Sequence, residues 1–160
     1  MPPKELTYGF IGHRPSSLPW GFNESDPRCI GLKAALLRET KLAYEKGARF
    51  FLSGMAEGAD LYAAESVLLL KRQFDDIALI SVFPYGCGAN ARQRRIALAA
   101  DGVISLYPEY VTGCMLARDR FIVKHCSGMI CVFSGNTKSG TAATMRMALD
   151  EGLGLIVLRV

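Results

Sequence analysis

Short runs of Val, Ile, Leu and Phe recur along the chain, and between them lie longer stretches with helical spacing of apolar residues. The runs predict strands at about Leu6–Ile11, Arg49–Ser53, Ile77–Phe83, Gly102–Leu106, Gly128–Phe133 and Leu155–Val160. The stretches predict helices at about Asp26–Lys46, Ala59–Gln73, Ala91–Ala99, Thr112–His125 and Thr141–Glu151. Punctuation agrees with this reading. Asp26 is a natural N-cap with Pro27 at the first helical position, and Gly47 is a stop, as is Gly152 after the last helix. In the first helix Ile30, Leu36, Leu37 and Ala43 are expected on the apolar face. The second, with Val67 to Leu70 in succession, needs cover on most sides or a place in an oligomer interface. Strands without polar alternation are buried on both faces, and strand–helix alternation joins them by right-handed crossovers. The prediction is an α/β fold: a Rossmann-like three-layer sandwich, with a mostly parallel six-stranded sheet and helices on both faces.

Three of the predicted strands run straight into glycine-bearing loops. These read Gly12-His13-Arg14-Pro15, Ser53-Gly54-Met55-Ala56-Glu57-Gly58-Ala59-Asp60, and Ser134-Gly135-Asn136-Thr137-Lys138-Ser139-Gly140-Thr141. Glycine lets the backbone approach a ligand closely, and a helix start offers unpaired N–H groups to an anion. Three such loops at one sheet edge point to a phosphate-bearing ligand.

Composition narrows the picture. The length of 160 residues predicts one domain, and half of the residues are apolar, enough for a core without disulfides or metals. The net charge of +4 is dispersed, which argues against a dedicated nucleic-acid binder. Arg92, Arg94 and Arg95 form the one local cluster, read as a solvated helix face. Five cysteines without a CxxC pair read as reduced, mostly buried residues, and only two histidines, without ligand spacing, give no metal site. No run is long and apolar enough to span a bilayer and no signal-peptide pattern opens the chain, so the expectation is a cytoplasmic protein with no membrane partner.

The Gly12-His13-Arg14-Pro15 start, the Ser53–Asp60 loop and the stretch from Arg118-Asp119-Arg120 to Gly140-Thr141 together resemble the YpsA-like branch of the SLOG superfamily. That superfamily takes in Lonely Guy-type nucleotide phosphoribohydrolases and the Rossmann domain of the DprA/Smf proteins. The resemblance covers nearly the whole chain. It implies a Rossmann-type domain that binds a nucleotide or nucleotide-derived ligand, often as a homodimer. No cofactor is expected to be required, and a bound nucleotide is the one such group the reading allows. The resemblance also implies that strand one pairs with strands two and five, which would set the three loops side by side.

The ligand-binding candidates are therefore Gly12, His13, Arg14, Ser53, Gly54, Glu57, Gly58, Asp60, Asn136, Lys138, Ser139, Gly140 and Thr141. Ser139 and Thr141 are read either as phosphate donors or as caps of the last helix. Glu57 and Asp60 either hold a ribose hydroxyl or interact with the helix dipole. Arg14 either forks onto a phosphate or clamps its loop. Trp20, Phe22 and Tyr85 either stack on a base or anchor loops on the core.

Three functions compete. The first is a sensor or binding module for a nucleotide or NAD-derived species such as ADP-ribose. The second is an N-glycosidase of the phosphoribohydrolase type. In the similar phosphoribohydrolases an arginine at the position of Arg118 works with a glutamate just after the Gly-Thr pair, but Ala142 and Ala143 follow Thr141 here. Arg118 with Glu57, Asp60 or Asp119 as the carboxylate would then be the catalytic set, because glycosidic cleavage needs one. The third is a nucleic-acid-associated module, against which the dispersed charge counts.

Overall fold

The computed structural model describes all 160 residues. Its strands are β1 (Thr7–Gly12), β2 (Phe50–Ser53), β3 (Ala78–Phe83), β4 (Gly102–Ser105), β5 (Gly128–Phe133) and β6 (Gly154–Arg159), and its helices α1 (Pro27–Glu45), α2 (Ala59–Leu70), α3 (Ala91–Ala99), α4 (Cys114–His125) and α5 (Gly140–Asp150). The sheet runs β4-β3-β2-β1-β5-β6 and every pairing is parallel. β1 thus lies between β2 and β5, as the resemblance implied. Winding proceeds outward from β1 to β4, and the chain then crosses back to β5 on the far side of β1. The direction reverses between β1 and β5, where open α/β sheets form a crevice.

Period-two alternation along the strands divides the core. Phe10, Phe51, Leu79, Ile130 and Val132 face the layer that contains α1, α2 and α3. Ile11, Leu52, Ile80, Met129 and Cys131 face the layer of α4 and α5. The result is the expected Rossmann-like three-layer sandwich. Only β4 and β6 show an exposed side, Val103 at 47% and Val157 at 42%, because they are the sheet edges.

Local chemistry explains the helix ends. The Asp26 carboxylate accepts from the Arg28 N–H at 2.8 Å and Pro27 opens α1. The buried stripe of α1 is Cys29, Leu32, Leu36, Thr40 and Ala43; Ile30, expected on it, is turned about 100° away from Cys29 and is exposed. α2 is buried on nearly every side, between α1, α3 and the sheet, which answers its apolar sequence without a second chain. Arg92 also departs from its expected place on a solvated face. Its guanidinium holds Glu24 and Glu65 and lies over the Tyr62 ring, whereas Arg94 and Arg95 are exposed. Four of the five cysteines are buried and all are free; Cys87 is exposed. No helix is long and apolar enough to cross a membrane.

Candidate functional site

The crevice between β1 and β5 is closed by a histidine. His13 Nε2 accepts from the Ser134 N–H at 2.9 Å, and Nδ1 lies 3.3 Å from Thr141 Oγ1. A backbone N–H can only donate, so Nε2 carries the lone pair and the neutral ring bears its proton on Nδ1. Burial lowers the His13 pKa and so favours this form. His13 therefore ties the first and third glycine loops together, and its ring nitrogens are spent on the protein. Gly12 and Gly58 serve the same closure. A Cβ on Gly12 would lie 2.5 Å from Ala59 Cβ, and one on Gly58, where φ is +90°, would lie 2.6 Å from the His13 carbonyl oxygen. That carbonyl also accepts from the Ala59 N–H and so takes the first donor of α2.

The start of α5 is different. Ser139 is its N-cap: its Oγ accepts from the Ala142 N–H at 3.1 Å and donates to the Asn136 carbonyl at 2.7 Å. The Asn136 side chain accepts from the Lys138 N–H. Ser139 and Asn136 thus build the turn, while the N–H groups of Gly140 and Thr141 have no protein partner. Lys138 is exposed and makes no salt bridge, and the space over Gly140 is open.

A cavity of about 390 Å³ lies at the carboxyl ends of β1, β2 and β3. Arg14, Gly54, Glu57, Met115 and Arg118 line it together with Phe83, Pro84 and Tyr85. Asn136 to Thr141 lie outside its lining. The loop after β1 borders both places: His13 touches Thr141, and Arg14, next in sequence, faces the cavity.

Arg118 is 5% exposed and crosses from α4 to the second glycine loop. Its Nε donates to Asp119 Oδ1 at 2.7 Å and its Nη1 to the Gly54 carbonyl at 2.6 Å, which leaves Nη2 without a protein partner at the cavity wall. Asp119 Oδ2 in turn accepts from Thr144 Oγ1 on α5 at 3.0 Å. Gly54 is required by this crossing. A Cβ there would lie 2.8 Å from Arg118 Cδ and 2.9 Å from both Arg118 Nε and Asp60 Oδ2.

The two acidic candidates of the second loop separate cleanly. Glu57 is exposed, lines the cavity, and accepts from Asn90 Nδ2 at 3.0 Å. Asp60 is buried beneath the loop. Its Oδ2 accepts from the Ala56 N–H at 3.3 Å, Ser53 Oγ donates to its backbone carbonyl, and its Oδ1 has no partner. Burial raises its pKa to about 6 against the opposing pull of Arg118.

Two guanidinium-bearing residues, a carboxylate, a proline and an aromatic ring thus line one cavity. The protein with this chemistry is matched over residues 9–152 by the family model described as the YspA SLOG family. The chain belongs to the YspA SLOG family. It is similar to a UPF0398 protein of Brevibacillus brevis, 24% identical over 142 residues that cover 81% of this chain and 74% of that one. It is also similar to a UPF0398 protein of Lysinibacillus sphaericus, 22% identical over 146 residues that cover 86% and 81%.

Within this SLOG chain, sequence reasoning overlooked Met55, Asn90 and Gln93. Met55 is the one non-glycine residue in the left-handed region, with φ of 61°. Its N–H is held by Ser53 Oγ and its carbonyl by Gln93 Nε2, so two side chains maintain a conformation that is costly for methionine. Asn90 and Gln93 form the capping box of α3, and the Asn-x-x-Gln spacing was the signal for it. Of the loop aromatics, Tyr85 lines the cavity and packs edge-on against Tyr110, Trp20 is buried in the core, and Phe22 is 75% exposed.

Proposed function

We propose that this SLOG protein binds or senses a nucleotide or NAD-derived ligand, such as ADP-ribose or a nucleoside monophosphate, at the carboxyl ends of β1–β3. The observation that carries the reading is that two arginines, Arg14 and Arg118, and an aromatic ring, Tyr85, line one cavity. Guanidinium groups fork onto phosphate oxygens. Glu57, with one oxygen steadied by Asn90, is placed to accept from ribose hydroxyls. Pro84 and Tyr85 offer a surface for the base. The open start of α5, across the His13–Arg14 loop, supplies a second place for phosphate.

The test is an equilibrium titration with AMP, ADP-ribose and NAD, followed by a check that the ligand is intact. Saturable binding of intact ligand is the expected result. Absence of binding to all three removes the reading. Release of free base would favour the glycosidase alternative, with Glu57 as its carboxylate. Glu57 is the acidic candidate that lines the cavity, while Asp119 is engaged by Arg118 and Asp60 lies beneath the floor.

Gly140→Val tests the α5 subsite. The new side chain meets no protein atom within 4 Å at its Cβ, so the fold should tolerate it while the helix start is covered. We expect an affinity loss of about tenfold or more, the loss of one charge-assisted hydrogen bond. An unchanged Kd would leave the arginines as the whole anion site.

We also propose that the protein is a homodimer. The exposed Leu116 beside Met115 on α4 supplies the contact, whereas α2, the other helix considered, is already covered. Light scattering at micromolar concentration should give twice the chain mass of 17.5 kDa; the mass of one chain would rule this out.

A further inference from the structure

Asp60, Arg118 and Asp119 form a buried group with two carboxylates and one guanidinium. Asp60 and Arg118 are 3% and 5% exposed, and the Asp119 side chain is 12% exposed. Asp119 holds Arg118 directly, whereas Asp60 approaches it only across Gly54, with Asp60 Oδ2 and Arg118 Nε both 2.9 Å from the position a Gly54 Cβ would take. Asp60 Oδ1 has no hydrogen-bond partner. Within this group one cation faces two carboxylates, and an isolated buried charge such as that of Asp60 is strongly disfavoured. The cavity adds a third claim on the same guanidinium, because Arg118 Nη2 is unpaired at its wall.

We propose that anion binding in this cavity is coupled to uptake of a proton by Asp60. A phosphate seated on the free edge of Arg118 adds negative charge close to Asp60 and offsets the guanidinium that most steadies its ionised form. Asp60 restores the balance by binding a proton from solvent; no covalent bond in the ligand changes. The coupling rests on the reading of the cavity as an anion site.

The charged groups that act on Asp60 come from few elements. α4 supplies Arg118 and Asp119, and the loop after β1 supplies Arg14. The loop between β2 and α2 gives the Ala56 N–H, and β2 gives Ser53, which bonds the Asp60 backbone carbonyl rather than its carboxyl. Arg118 and Arg14 favour the ionised carboxyl; Asp119 and burial oppose it. Both arginines that favour it line the cavity, so an anion there acts on Asp60 in one direction.

The experiment follows the carbon-13 resonance of the Asp60 carboxyl against pH in the full chain, with sulfate and then ADP-ribose as the added anion. The resonance is identified by its absence from Asp60→Asn, or by through-bond correlation in the unaltered chain should that variant not fold. Neither probe changes its own charge near neutral pH. The expected result is a midpoint near 6 that climbs by about one pH unit or more as anion saturates. The affinity for ADP-ribose then falls up to about tenfold per pH unit between the free and bound midpoints, and is flat in Asp60→Asn. A midpoint that neither anion moves, or that moves downward, overturns the proposal. A midpoint raised by sulfate but not by ADP-ribose keeps the proton coupling and removes the nucleotide reading.

Discussion

Arg118→Met should cost the protein about 3–5 kcal/mol of stability, because it breaks a buried ion pair from the cationic side alone. Asp119 would keep only the Thr144 hydroxyl, the Gly54 carbonyl would lose its donor, and Asp60 would lose the nearest cation. Chemical denaturation at pH 7 measures the loss directly. A loss under about 1 kcal/mol would show that the crossing from α4 to the β2–α2 loop carries no weight in the fold, a value typical of exposed pairs. Arg118→Lys separates charge from shape. Lysine retains the cation but cannot serve Asp119, Gly54 and the cavity together with a fixed fork, so an intermediate loss is expected. The same variants should weaken nucleotide binding, and Arg14→Gln, at an exposed position, removes a cavity cation without that structural cost.

Asp60→Asn should stabilise the protein relative to the unaltered chain at neutral pH but not in acid. The sign follows from the direction of the shift. Asp60 has its pKa raised from 3.8 to about 6 in the folded state. Below the unfolded value the acid is neutral in both states and folding carries no penalty. As pH rises through the folded value the native carboxyl must ionise in its buried place, and the stability present in acid is lost. A difference of about two pH units corresponds to roughly 3 kcal/mol between pH 4 and pH 7.5. Asparagine keeps an oxygen for the Ala56 N–H and cannot ionise, so the gap between the two proteins should open across that window. Denaturation curves for both at several pH values measure it, and a gap independent of pH would mean that Asp60 ionises at no cost. Other acidic groups titrate in both proteins and cancel in the comparison. A carboxylate kept at such cost suits a residue retained for its proton, as the coupling to anion binding requires.

The element order was legible from the chain. The buried strands are short apolar runs, and α1 carries its own start and stop in Asp26-Pro27 and Gly47. Gly12, Gly54 and Gly58 stood out in the chain as positions of close backbone approach, and the atoms that crowd each of them are the protein's own: Ala59, Arg118 with Asp60, and the His13 carbonyl. The resemblance supplied what periodicity could not, the placement of β1 between β2 and β5, because hydrogen bonding between strands leaves no local mark on either.

Other features depended on contacts between distant residues. Arg92 looked like part of a solvated run, but Glu24 and Glu65 lie far from it in sequence and reach it only in the folded chain. His13 was a ligand-binding candidate, and its ring is instead engaged by Ser134 and Thr141, more than a hundred residues away. Glu57 and Asp60 sit three positions apart in one loop, yet one is exposed at the cavity and the other is buried beneath it. The sequence by itself determined the alternating α/β elements and the glycine loops, because propensity, capping and steric room are local properties. Only the tertiary structure decided which loop residues face the cavity and which charges share Arg118. Burial and electrostatic pairing depend on what the rest of the chain brings within a few ångströms.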